Sequence, residues 1–362
     1  MRLGDATNYC VPVIISMHKE AIVPLSIRSF VLSGVCLALS HQALASEFEA
    51  CMAKQMATAN DEMTIGELRK LCEAETQLQR DGTIDIDGKT IKGGVLSKRI
   101  IAERQTDQSE FVLTPHHTNY FLPVYSTNEI NPTAYGEDQA YADNFKDIEA
   151  KFQISFKFPL SYGSLLFEGD RIYGAFTLEA WWQVYADDIS SPFRETNYRP
   201  EFFYVTPLGW HPFDGNTGLV VGVEHQSNGR SGTLSRSWNR VYAELLYENG
   251  DWLYFLKPWY RIQEDEKLDP SLPEGDDNPD IADYMGHAEF GFGYDFGDYE
   301  MVVRGRQNFS TNKGAIEVEF TTPLYGKLHG YVLLFNGYGD SLIDYNHSQT
   351  RLGVGIALNN MF

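Results

Sequence analysis

From Thr118 onward the chain keeps a period of two. Apolar and polar side chains alternate over segments of about 10 residues, with turn residues between them. Successive side chains of a strand point to opposite faces, so each segment has one apolar and one polar wall. Twelve segments can be counted: Thr118–Ser126, Ala150–Phe158, Ile172–Tyr185, Pro200–Leu208, Leu219–Ser227, Trp238–Glu248, Trp252–Arg261, His287–Phe296, Tyr299–Asn308, Ala315–Thr322, Leu328–Asn336 and Arg351–Asn360. An even number of antiparallel strands can close without leaving an edge. The pattern therefore predicts an all-β, 12-stranded antiparallel transmembrane β-barrel. In the second segment Phe152, Ile154, Phe156 and Phe158 would face lipid, and Lys151, Gln153, Ser155 and Lys157 a polar interior.

A soluble sandwich would alternate too, with its apolar face inward. An export signal decides between the two. Residues 1–45 read as a leader region, with Met17 the expected start: His18, Lys19 and Arg28, an apolar run from Phe30 to Leu39, then Ala43-Leu44-Ala45 before Ser46. That run is shorter than the roughly 20 apolar residues a transmembrane helix needs. Val35 stands before Cys36 where a lipoprotein signal wants a small residue, which disfavours lipidation. The last segment places Leu352, Val354, Ile356, Leu358 and Phe362 on one parity, like the C-terminal aromatic signal of bacterial outer-membrane proteins, with Asn360 out of step. The expected location is the bacterial outer membrane, and aromatics at 14% of the chain suit its interfaces. A net charge of −21 excludes a nucleic-acid partner, which would need a basic face.

Residues 46–111 read as a polar, partly helical periplasmic extension. Cys51 and Cys72 flank a helix-like stretch, Met56–Leu71, and an even pair in an exported chain suits one disulfide; the alternative is two free thiols. Asp85, Asp87 and Gly88 fit part of a calcium loop, but Thr83 and Gly94 stand where that loop needs acids, so a solvated turn is expected.

The segment Leu219–Ser227 departs from the barrel rule. Parity puts His225 and Ser227 on the lipid-facing side with Leu219, Val221 and Val223, where polar groups are costly. The next segment places Asn239 on the face of Val241, Ala243, Leu245 and Tyr247. If the turn centres on Gly232, His225 falls opposite Asn239, with paired Cβ atoms about 4.5–5.5 Å apart. Ser227, His225 and Asn239 then have the residue types of a nucleophile, a general base and its orienter. Interface hydrogen-bonding or lipopolysaccharide contacts would account for the same three residues.

The stretch from His225-Gln226-Ser227-Asn228-Gly229-Arg230 to Ser237-Trp238-Asn239-Arg240 resembles the signature of outer-membrane phospholipase A. So do Ser190–Tyr198, Lys257–Tyr260, Asp276–Ile281 and Gly337–Asn346, in the same order, and the likeness runs from Phe111 to Phe362. The resemblance implies calcium-dependent hydrolysis of phospholipid and lysophospholipid acyl esters (A1 or A2 positions), activated by homodimerisation, with Ser227, His225 and Asn239 catalytic. It places calcium (Ca2+) at Arg230 and Ser235, at Ser190 reaching the partner's site, and at Asp277 in the monomer. Gly232 stands where the family can carry an acid, and Glu264–Glu274 looks like an acidic insertion able to shift Asp277. Leu178, Trp181 and Trp182 are candidates for the dimer cleft or for the aromatic belt. The competing functions are a catalytically silent solute channel and a surface-binding or adhesive barrel.

Overall fold

The computed structural model describes residues 48–56, 64–81, 83–86, 89–104, 113–161, 164–269, 275–359 and 362. The expected leader, Cys36 included, lies outside the described residues, as do Asp87 and Gly88 of the Asp-rich turn. The chain divides into two units, Met1–Ala50 and Cys51–Phe362, and the second contains the barrel.

A hairpin of β1 (Thr83–Ile86) and β2 (Lys89–Lys92) and a short strand β3 (Thr114–Pro115) precede it. The wall is β4 (Tyr120–Thr127), β5 (Ile148–Pro159), β6 (Arg171–Trp182), β7 (Phe193–Leu208), β8 (Asn216–Ser227), β9 (Ser237–Asn249), β10 (Trp252–Ile262), β11 (Ala288–Asp295), β12 (Glu300–Asn308), β13 (Lys313–Tyr325), β14 (Leu328–Tyr338) and β15 (Ser348–Ala357). Each pairs antiparallel with its neighbour in sequence, and β15 pairs with β4, so the 12 strands close; β3 is an extra piece on β5. The twelve expected segments match these strands to within a few residues, except that β7 begins at Phe193 rather than at Pro200. Proline ordinarily marks a strand end because it lacks an N–H. Here Pro200 pairs with Phe176 of β6, while the ladder to β8 runs from Tyr198↔Ser227 to Glu201↔Glu224 with the pairs between them unformed.

Alternation has the expected sense. Ile154, Phe158, Val221, Val223, Val241, Leu245, Ile316, Leu352 and Val354 are exposed on the outer wall, whereas Lys151, Ser155, Glu224, Arg240 and Glu319 are buried inside. Trp181 corrects one expectation. It is one residue from Trp182 and therefore faces the other way, fully buried, its Nε1 donating to Asp340 Oδ2 at 2.8 Å with the Lys151 ammonium 4.5 Å from its ring centre. Trp182 stacks on Phe193, ring centres 5.4 Å apart. Phe362 lies beyond the end of β15 and packs with Phe255 against the inner cluster that includes Tyr331 and Leu333.

Buried charges persist only where they are paired, and the interior follows that rule. Arg194 bonds Glu149 (2.9 Å) and Asp344 (2.7 Å), Arg351 bonds Glu149 (2.7 Å) and Asp340 (3.1 Å), and Lys151 bonds Asp340 (3.2 Å). An interior cavity of about 180 Å³, bordered by Lys151, Glu179, Arg199, Arg240 and Arg304 among others, is polar and roomy enough for water. An interior so crossed by ion pairs is a polar core.

Ahead of the wall, α1 (Ile65–Asp81) opens with a capping box: the Glu67 N–H donates to Thr64 Oγ1 (3.2 Å) and the Thr64 N–H to Glu67 Oε2 (2.8 Å). Cys51 and Cys72 form a disulfide that ties this helix to the helical turn over 51–56. The next helix, α2 (Val95–Arg104), docks on the short-turn end of the barrel. Its first N–H groups, of Leu96 and Ser97, donate to Glu248 Oε2 at 2.8 and 3.0 Å, so a strand carboxylate meets the positive end of the helix dipole. Glu103 pairs with Lys157 of β5 at 2.8 Å.

Candidate active site

The connection from β8 to β9 is centred on Gly232, because Ser227 pairs with Ser237 and His225 with Asn239. Gly229 (φ +65°) and Gly232 (φ +63°) take the left-handed backbone that this tight return needs. Inside the return, the Asn228 side chain acts as a frame: its Oδ1 accepts from the Arg230 and Arg236 N–H groups (3.2 and 3.0 Å) and its Nδ2 donates to the Leu234 carbonyl (2.8 Å). Residues of even number in β8, such as Glu224 and Gln226, point inward, so His225 and Ser227 stand on the outer wall, half-buried.

His225 Nδ1 and Asn239 Oδ1 are 2.8 Å apart. Asn239 Nδ2 donates to Glu264 Oε1 at 2.9 Å. An ionised carboxylate only accepts, so the Asn239 amide nitrogen turns to Glu264 and its oxygen to His225. Nδ1 then carries the proton, and Nε2 offers a lone pair, the state a general base requires. On the inner face Trp238 Nε1 donates to Gln226 Oε1 (2.9 Å) and the Arg240 guanidinium lies 3.9 Å from the Trp238 ring centre while pairing with Glu224. The strand segment bearing the site is thus braced from behind.

Two further sequence blocks meet beneath it. Arg194 bonds Asp344, Asn197 Oδ1 accepts from the Leu342 N–H (2.9 Å), and Glu195 accepts from the Ile343 N–H (3.3 Å) while pairing with Arg230 (3.3 Å). The start of β7 is thereby fastened both to the loop after β14 and to the β8–β9 loop.

The four residues expected to hold calcium are divided between loops. Ser190 follows the turn Asp187–Ile189 and has φ +65°. Arg230 turns its guanidinium to Glu195 and the Arg194 carbonyl. Ser235 Oγ donates to Asp277 Oδ2 at 2.6 Å, and Asp277 is also paired with Lys267. Lys267 belongs to the acidic stretch after β10, which folds back so that Asp265 O accepts from the Asp276 N–H at 2.8 Å. Ser235 and Asp277 are therefore adjacent, and Asp277 already has a cation. Elsewhere among the described residues, His116, His117 and Glu201 bring potential metal-binding atoms within 4.8 Å of one another. Glu201 there accepts from the Tyr242 hydroxyl (2.8 Å) and meets His116 Nε2 (2.7 Å), a satisfied network inside the barrel.

Glu264 is the residue that the sequence reading missed. A signal for it exists: Asn249 pairs with Trp252 across Gly250-Asp251, which sets Ile262 opposite Asn239, and Glu264 is two residues further on the same face.

The Phospholipase A1 family model matches residues 96–358. Phospholipase A1 of Escherichia coli K12 is 37% identical over 281 residues, covering 76% of this chain and 90% of that protein, and a putative phospholipase A1 of Neisseria meningitidis is 38% identical over 255 residues, covering 68% and 65%. Among solved structures, outer membrane phospholipase A from Escherichia coli superposes with TM-score 0.64 at 38% identity, covering 70% of this chain and 94% of that one. An active-site variant of it, with asparagine replaced by alanine, gives TM-score 0.65 at 37% identity, covering 73% and 98%. The Salmonella typhi outer membrane phospholipase dimer with bound calcium gives 0.64 at 38%, covering 70% and 94%. This chain, an outer-membrane β-barrel, belongs to the phospholipase A1 family.

Proposed function

We propose that the protein hydrolyses acyl esters of phospholipids and lysophospholipids at a Ser227-His225-Asn239 triad on the outer wall, as a calcium-activated homodimer. The observation that carries the reading is the His225–Asn239 hydrogen bond on a lipid-facing surface, two residues along the same face from Ser227. The known Escherichia coli active-site asparagine variant supports the same role for Asn239.

Ser227 Oγ attacks the ester carbonyl while His225 Nε2 takes its proton, then passes that proton to the departing alcohol oxygen. A water deprotonated by the same imidazole releases the acid from the acyl-serine. Asn239 holds the Nδ1–H and thereby the ring; it supplies orientation without a full charge. A backbone N–H of the stretch Ser227 to Gly229 would receive the oxyanion, other than that of Asn228, which donates to the Arg236 carbonyl.

Oxygen donors suit calcium. Arg230 and Ser235, with Ser190 of a second copy, would hold it, and when bound it would polarise a water at the oxyanion. The Arg230 guanidinium is drawn to Glu195, 3.3 Å away. Asp277 does not fit as a further ligand while Lys267 occupies it, and Gly232 adds no carboxylate. A site so poor in protein charge should bind calcium weakly until a dimer assembles it. Two barrels side by side would also form the apolar clefts that acyl chains need. We further assign residues 1–45 to a leader, 46–111 to a periplasmic extension and 112–362 to the barrel.

The test is fatty-acid release from phospholipid micelles, with calcium or with chelator. Activity should require calcium and vanish in Ser227→Ala; hydrolysis indifferent to both would overturn the proposal.

A further inference from the structure

We infer that Glu264 is a positioning residue that turns the three-residue constellation into a charge-backed relay, Ser227-His225-Asn239-Glu264; this rests on the hydrolytic reading above. Three adjacent strands supply its parts. His225 of β8 pairs with Asn239 of β9, Asn239 pairs with Ile262 at the end of β10, and Glu264 leaves β10 two residues later on the same side. Two hydrogen bonds join the last three members, 2.8 Å from His225 Nδ1 to Asn239 Oδ1 and 2.9 Å from Asn239 Nδ2 to Glu264 Oε1.

An asparagine alone is an ambiguous orienter. Its amide presents either an acceptor or a pair of donors to the imidazole, and a flipped amide would stabilise the wrong tautomer, with Nε2 protonated and unable to act as base. A carboxylate on the far side removes the ambiguity, since it can take only the NH2 group. Its negative charge also polarises the amide toward His225 as the imidazolium forms. Glu264 lies half-exposed, so solvent reduces that charge effect and leaves orientation as its main part. Its place in the acidic insertion gives that insertion a task at the site itself.

The experiment compares Glu264→Ala and Glu264→Gln, each in the wild-type and the Asn239→Ala background, with Ser227→Ala as reference. Initial rates on calcium-supplemented phospholipid micelles are measured against pH. Glu264→Ala should lower kcat about tenfold, as expected for one hydrogen bond to a charged group, with KM little changed. Glu264→Gln keeps an acceptor but can also present donors, so it should recover only part of kcat, and the acid limb of its pH profile should move to lower pH because the imidazolium has lost a nearby anion. In the Asn239→Ala background, Glu264→Ala should have no further effect. Unchanged kcat and pH profile in an enzyme that Ser227→Ala inactivates would overturn the inference alone. An equal loss with and without Asn239 would assign Glu264 a purely structural part and overturn it too. Hydrolysis insensitive to Ser227→Ala would overturn the hydrolytic reading and take this inference with it.

Discussion

His225 and Asn239 are fourteen residues apart in the chain, yet their side chains meet at 2.8 Å because sheet register places them directly opposite one another. Their contact depends on the β8–β9 ladder, and no loop side chain has to move to make it.

Asn239→Ala should reduce kcat by about one to two orders of magnitude less than Ser227→Ala does, since loss of an orienter leaves the nucleophile and base in place. Fatty-acid release from micelles measures both. An equal loss would mean that Asn239 does more than orient.

Most of this geometry is legible in the sequence. Period two fixes which face each residue takes, and a turn centred on Gly232 fixes the pairing of His225 with Asn239. The same arithmetic about Gly250-Asp251 leads to Glu264, but that residue reads as part of a solvated acidic run until its neighbour across the strand is known. Trp181 was misplaced because aromatic composition suggested a belt where parity pointed inward, toward Asp340. The early start of β7 was hidden by Pro200, a strand breaker that the open ladder to β8 accommodates. The Lys267–Asp277 pair could not be anticipated, since it depends on how an insertion folds back on its own stem.

Ser190 occupies left-handed backbone, which disfavours bulky side chains. Ser190→Phe should therefore impair calcium-supported dimers both by its bulk and by backbone strain. Ser190→Gly separates these effects, because it removes the hydroxyl while easing the backbone. Chemical cross-linking with calcium or chelator should show fewer dimers for both variants. Undiminished cross-linking and activity would remove Ser190 from the proposed trans contact.

Lys267 acts as a tethered competitor for any cation that approaches Asp277. Lys267→Met should free that carboxylate and tighten calcium binding by the monomer, by about tenfold if one full charge pair is exchanged. Calcium titration of the monomer by equilibrium dialysis measures it. An unchanged affinity would show that Asp277 takes no part in calcium binding.

Asp340 lies in the loop after β14, buried. Burial alone would raise its carboxyl. The Lys151 ammonium, the Arg351 guanidinium and the Tyr125 hydroxyl outweigh that effect and hold it at about 2, below its ordinary 3.8. A lowered value means that the unfolded chain takes up the proton first as pH falls. The stabilisation is therefore complete above the ordinary value and is lost as pH drops through about 2. It should be on the order of 2 kcal/mol. Thermal unfolding in detergent should show a falling Tm between about pH 4 and pH 2, and Asp340→Asn should flatten that part of the curve. An Asp340→Asn variant with the same slope would assign the acid sensitivity to other carboxyls.

At the proposed triad, the outward aim of His225 and Ser227 also determines how a lipid substrate would arrive. Groups on the outer face of a wall whose interior is closed by ion pairs are met by molecules travelling in the plane of the bilayer. The encounter is then two-dimensional, governed by the number of lipids per unit area and by their lateral diffusion, and dilution of the surrounding water leaves it unchanged. Turnover should track the mole fraction of cleavable lipid in the leaflet, so that packing defects and leaflet composition act on this barrel as concentration acts on a soluble enzyme.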